Sequence, residues 1–206
     1  MKLNNLSIYE RTLLLVKDPK KYFTIVSKES LGTVFNRMSP LIIAILVIQL
    51  IVDRFSVLNQ LAEVTKPALG LTILFALLGL VATYIALPAV YNIVLRLFKS
   101  KKSFSDTLKV FLALAYFGII SLSAYIVFQL LFFLSMNSEV GLLIFLLVWA
   151  LSALALGIYS FYLLLKGISV VHKVSMGKSF VALLLSGVIF FILIIIVSVI
   201  ITLVSI

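Results

Sequence analysis

Apolar positions along the chain gather into five long blocks separated by short stretches rich in Lys, Ser, Asn and Asp. Crossing ~30 Å of hydrocarbon as a helix takes about 20 residues. The blocks meet that length at about 38–58, 67–98, 108–135, 140–165 and 180–206. In the last, 21 of 27 residues are Leu, Ile, Val or Phe. At roughly −0.3 to −0.6 kcal/mol each, its insertion is favourable by about 6 to 12 kcal/mol. No run shows the ten-residue alternation of a membrane β-barrel. The pattern therefore predicts an all-α integral membrane protein with five transmembrane helices.

Polar punctuation adds detail. Ser7-Ile8-Tyr9-Glu10 is a capping-box pattern that opens a short helix through Val16, and Asp18-Pro19 restarts a second. In the second, Tyr22, Phe23 and Val26 make an apolar side, while Lys20, Lys21 and Lys28 can reach anionic phosphates. These read as two amphipathic helices lying on the membrane, an N-terminal segment 1–37 ahead of a transmembrane domain 38–206. Ser103-Phe104-Ser105-Asp106 caps the third span. The second span is overlong. Pro88 is expected to kink it, and beyond the kink Asn92, Arg96 and Lys99 share one helical face. Asp53 and Arg54 interrupt the outer end of the first span, where they can snorkel or pair.

Charge fixes the sidedness. The 17 Lys and Arg fall 15 to one side of the five spans and two to the other, with the N-terminal segment on the rich side. The positive-inside rule then puts the N-terminus in the cytoplasm and the C-terminus outside, a multi-pass protein of the cell membrane. An even number of spans would break this alternation. The net charge of +10 accordingly reads as topology and attraction to anionic lipid, not as nucleic-acid binding. At 64% hydrophobic and 12% charged, the chain cannot be a soluble domain.

Candidate chemistry is sparse. Without cysteine there is no disulfide, thiolate ligand or cysteine nucleophile, and the single His172 excludes paired-histidine metal motifs. GxSxG, HExxH and P-loop patterns are absent, and no spacing links His172 to Asp18, Glu29 or Asp106. An enzyme or a cofactor is not expected, and His172 reads as an interfacial residue near headgroups. Within the spans, Gln49, Asp53, Arg54, Asn92 and Gln129 are candidates for interhelical hydrogen bonds or for lining a path. Small-xxx-small pairs, Gly79/Thr83, Ala82/Ala86 and Ala153/Gly157, permit close packing or self-association. Tyr159 and Tyr162, with Tyr9 or Tyr22, fit an aromatic belt. Lys20, Lys21, Lys99, Lys101 and Lys102 form a basic collar suited to lipid headgroups or an acidic partner.

Three stretches resemble the Yip1 family of five-span membrane proteins. Val16-Lys-Asp-Pro-Lys-Lys-Tyr-Phe23 is similar to the family's "nP..fF". Leu97-Phe-Lys-Ser-Lys-Lys-Ser-Phe-Ser-Asp-Thr-Leu-Lys-Val-Phe-Leu-Ala-Leu-Ala-Tyr116 is similar to "lfGg.gsf..tl.v.aYs", and Tyr159 to Lys178 to "y.l.l...gL....h.ms..ka". The resemblance implies the same topology as the charge count. It supplies no catalytic residue. The longer polar N-terminus and D-L-Y-G-P motif of the members implicated in Rab GTPase binding are missing, so the chain looks like a prokaryotic-type member. The expectation is a non-enzymatic scaffold or adaptor engaging lipid headgroups or a protein partner through its basic cytoplasmic face, with self-association through the small-residue pairs a further option. The rival is a transporter or channel for an ion, small solute or lipid.

Overall fold

The computed structural model describes residues 3, 6–55, 69–135 and 138–204. Among these the ordered elements are all helical. They are α1 (Ile8–Lys17), α2 (Pro19–Lys28), α3 (Leu31–Phe55), α4 (Leu69–Val81), a π-helical turn (Ala82–Ala86), α5 (Leu87–Leu97), α6 (Phe104–Ala113), α7 (Ala115–Ser135), α8 (Glu139–His172) and α9 (Met176–Val204). Five stretches are long and apolar enough to cross a bilayer: Leu31–Val52, Gly70–Leu97, Phe104–Ser135, Glu139–His172 and Met176–Ile196.

Local chemistry starts and stops these helices. Ser7 and Glu10 form the expected capping box, with the Ser7 amide donating to the Glu10 carboxylate at 2.7 Å. That amide, with the Ser7 hydroxyl, holds the Glu10 carboxyl below its usual value. Asp18 caps α2 by accepting from the Lys21 amide at 3.0 Å, and Pro19 opens the helix. The first span starts earlier than the apolar run suggests, at Leu31, because the Ser30 hydroxyl accepts from the Thr33 amide at 3.1 Å. It continues through Pro40, which removes the donor the Asn36 carbonyl would otherwise have. In the second span the irregularity expected at Pro88 takes the form of the π turn just before it.

Burial is sharply uneven. Helix α8 has 34 residues, ~51 Å, but its buried positions (Leu163, Leu165, Gly167, Ile168, Val171 and His172) all lie in the last ten. α6 is largely buried, whereas α7 buries Ala115, Tyr116, Phe117 and Phe132, and α4 has no fully buried residue among those described, only the half-buried Thr72, Ala76 and Leu80. The buried apolar side chains of α1, α2, the start of α3, α5, α6, the end of α8 and the start of α9 form one cluster. The protein is thus a packed helical body at the lysine-rich end from which five spans extend.

Two expectations change here. The apolar side of α2 does not face lipid: Tyr22, Phe23 and Val26 are completely buried against protein, so Tyr22 belongs to the core and not to an aromatic belt. Within the chain, the pairs Gly79/Thr83 and Ala153/Gly157 do not make a close approach at their glycines, since nothing stands within 4 Å of where a Cβ would sit on Gly79 or Gly157. The tight crossing is at Gly167, wedged between Phe23 of α2 and Val110 of α6.

Hydrogen bonds lock this body. The chain breaks at Leu114 between α6 and α7, and the Phe117 amide bonds to Leu114, leaving the Ala113 carbonyl to accept from the Tyr22 hydroxyl at 3.3 Å. Burial pushes that phenol's pKa well up, with Tyr116 beside it adding to the shift. Arg11 donates to the Tyr116 hydroxyl at 2.8 Å, Tyr91 to the Ser179 carbonyl at 2.7 Å, and Tyr159 to the Val16 carbonyl at 2.7 Å. Arg37 of α3 reaches back to Glu29 with two parallel hydrogen bonds, one of 2.9 Å, closing the corner after α2.

Candidate functional site

The site lies at the tip of the packed body, where three helices end or begin. α5 stops in a Schellman turn: Ser100 N–H bonds to the Leu95 carbonyl at 3.2 Å and Lys99 N–H to the Arg96 carbonyl at 2.9 Å. That turn needs a left-handed residue, and Lys99 supplies it with φ 63°. α8 also ends on a left-handed residue, Lys173 with φ 55°, and there the Ser169 hydroxyl donates to the Val174 carbonyl at 2.7 Å. These lysines are the two non-glycine residues with positive φ among the described residues. Each adjoins a partner in one hydrogen bond, between Ser100 Oγ and His172 Nδ1 at 2.8 Å.

The bond belongs to a chain. His172 Nε2 lies 3.0 Å from Thr107 Oγ1, which donates to Asn92 Oδ1 at 3.2 Å, and Lys102 N–H donates to Ser100 Oγ at 3.3 Å. Donor counting sets the directions. The Thr107 proton is committed to Asn92, so His172 donates from Nε2 to Thr107. Nδ1 then accepts from the Ser100 hydroxyl, which in turn accepts from Lys102. Each group is satisfied with the ring in one tautomer, and all four side chains are buried.

His172 is therefore not the interfacial residue its spacing suggests, but a pin joining the α5–α6 connection to the end of α8. Asp106, a candidate partner for it, pairs with Lys109 instead, at 3.1 Å. Asn92 is buried in this chain, so it does not share an open face with exposed Arg96 and Lys99, and Lys99 lies past the helix end. No group of three or more His, Cys, Asp or Glu able to hold a metal occurs among the described residues.

The pin gathers cations. Lys99, Lys101 and the half-buried Lys102 sit on the loop that Ser100 anchors, and exposed Lys173 follows His172 directly. Lys20 and Lys21 are exposed on α2, nearer the α1 corner. The remaining polar candidates stand apart. Gln49 is exposed on α3, and Gln129 lies with Tyr125, Phe132 and Trp149 in a small pocket between α7 and α8. The side chains of Asp53 and Arg54 lie outside the described residues. Sequence spacing missed Ser100, Thr107 and His172 as a unit. The available signal was that Asn92, Thr107 and His172 are each a lone polar residue on an apolar helical stripe.

With five membrane-length helices around this body, the fold defines a multi-pass α-helical membrane protein. A family model, the Yip1 domain, matches residues 14–198, and the chain belongs to the Yip1 family. No curated protein and no solved structure matches it.

Proposed function

We propose that this Yip1-family protein is a non-enzymatic scaffold of the cell membrane whose lysine rim docks an acidic surface of a partner protein. The observation that carries the reading is the Ser100–His172 bond. It joins two connections 72 residues apart, so Lys99, Lys101, Lys102 and Lys173 present one basic surface on a fixed backbone. Fixed cations lose little freedom on binding, and complementary charge speeds encounter.

Height favours a protein over headgroups at this rim. Twenty residues of α8 from Glu139 suffice for the hydrocarbon, which places Tyr159 at its boundary. His172 is 13 residues further, ~20 Å along the helix. By the positive-inside rule this end faces the cytoplasm. A transport path would need Gln49, Asn92 and Gln129 on one lining, and they stand at three separate places.

The test is crosslinking mass spectrometry in native membranes through the amine of Lys173, with the Lys101→Glu, Lys102→Glu double variant, which leaves that handle in place, as comparison. A reproducible partner crosslink lost on reversal supports docking. A crosslink indifferent to the reversal, or only self and lipid adducts, refutes it.

A further inference from the structure

A second feature, well removed from the rim, lies where α1 crosses α7. The two helices diverge around an apolar groove of about 920 Å³, walled by Ile8, Leu13 and Val16 on one side and Ile120, Ala124 and Phe128 on the other. That is at the upper end of the ~300–1,000 Å³ typical of ligand sites. The groove is preformed, because α1 is tied down at two points, through Arg11 to Tyr116 and through its Val16 carbonyl to Tyr159. The second tie puts α1 at the boundary level argued above. The α7 wall runs from Ile119 to Phe128, nine residues or ~14 Å inward from that level. Thr12, a polar side chain on the α1 wall, spends its hydroxyl on the Ile8 carbonyl at 2.9 Å, so it offers the groove little polarity.

Cations follow the α1 wall along the chain: α1 ends at exposed Lys17, next to groove-lining Val16, and the corner into α2 adds exposed Lys20 and Lys21, with Asp18 accepting from the Lys21 amide. Apolar walls that descend ~14 Å below three interfacial cations match one chemistry: a hydrocarbon tail under an anionic head. We propose that the α1–α7 groove is a binding site for an anionic phospholipid, with its acyl chain between the two helices and its phosphate at Lys17, Lys20 and Lys21. The site is independent of the rim, and loss of either leaves the other intact.

The test uses the full chain in nanodiscs of phosphatidylglycerol or phosphatidylcholine with matched acyl chains, each carrying a trace of lipid with a diazirine on the tail. Adducts are mapped by mass spectrometry. The expected result is labelling concentrated on residues 8–16 and 119–128 in phosphatidylglycerol, and weaker labelling there in phosphatidylcholine. Neutralising Lys17, Lys20 and Lys21 to Gln should erode that preference by roughly fivefold per lysine. Ala124→Trp should block the groove, while Leu147→Trp, on the exposed face of α8, should not. Because the lysine variants alter exposed positions only, they decide the matter even where the tryptophan variant folds poorly. Labelling spread evenly over the spans overturns the proposal. So does groove labelling indifferent to headgroup and to the three lysines.

Discussion

Gly167 is where the packed body is tightest. A Cβ on Gly167 would stand 2.6 Å from Val110 Cγ1 and 2.8 Å from both Phe23 Cε1 and Cζ. Neither neighbour can easily yield: Val110 and Phe23 are completely buried, and valine is stiff about χ1. Overpacking of this kind costs about 1–3 kcal/mol. Against it stands a helix-propensity gain of about 1 kcal/mol for alanine over glycine. Gly167→Ala should therefore be destabilising by up to ~2 kcal/mol, and Gly167→Val by more. The same change at Gly79 or Gly157, where nothing lies within 4 Å, has no clash to oppose the propensity and should be neutral or stabilising. Val110→Ala removes the nearest atom, so the double variant with Gly167→Ala should recover part of the loss, a coupling of about 1 kcal/mol. Reversible unfolding of the purified protein in mixed micelles, followed by circular dichroism, measures all six variants, the Val110→Ala single included, on one scale. If Gly167→Ala is as stable as Gly157→Ala, or if Val110→Ala brings no recovery, the packing argument is wrong.

Other outcomes follow from the same structure. Thr107→Val keeps the shape but strands His172 Nε2 and Asn92 Oδ1, which should cost about 1–3 kcal/mol and raise hydrogen exchange across the 99–103 loop; unchanged exchange there would refute the pin. Lys99→Gly relieves a left-handed side chain and should stabilise the protein by about 1 kcal/mol while weakening partner crosslinking, whereas parallel changes in both would refute the reading. Because the chain lacks cysteine, single cysteines at Lys101 and Ser138 report sidedness: an impermeant maleimide should reach the first from the cytoplasmic face and the second from the other. Reaction of both from one face would overturn the five-span alternation.

The features legible in the sequence are those that a residue expresses alone or with its near neighbours. Each apolar block partitions into hydrocarbon on its own composition, and each lysine resists translocation on its own charge, so span number and the segregation of charge need no knowledge of the fold. The caps at Ser7, Asp18 and Ser103 are equally local, since donor and acceptor lie three residues apart. Only the tertiary structure decided the rest. Whether the apolar side of α2 meets lipid or protein turns on Gly167 and Val110 passing beside Phe23, and composition is blind to that choice. Likewise Ser100 and His172, Tyr22 and Ala113, and Tyr159 and Val16 meet across 72, 91 and 143 residues. Hydropathy tells such polar groups to avoid hydrocarbon but does not name the partner that satisfies each one, because that partner is chosen by how the helices cross.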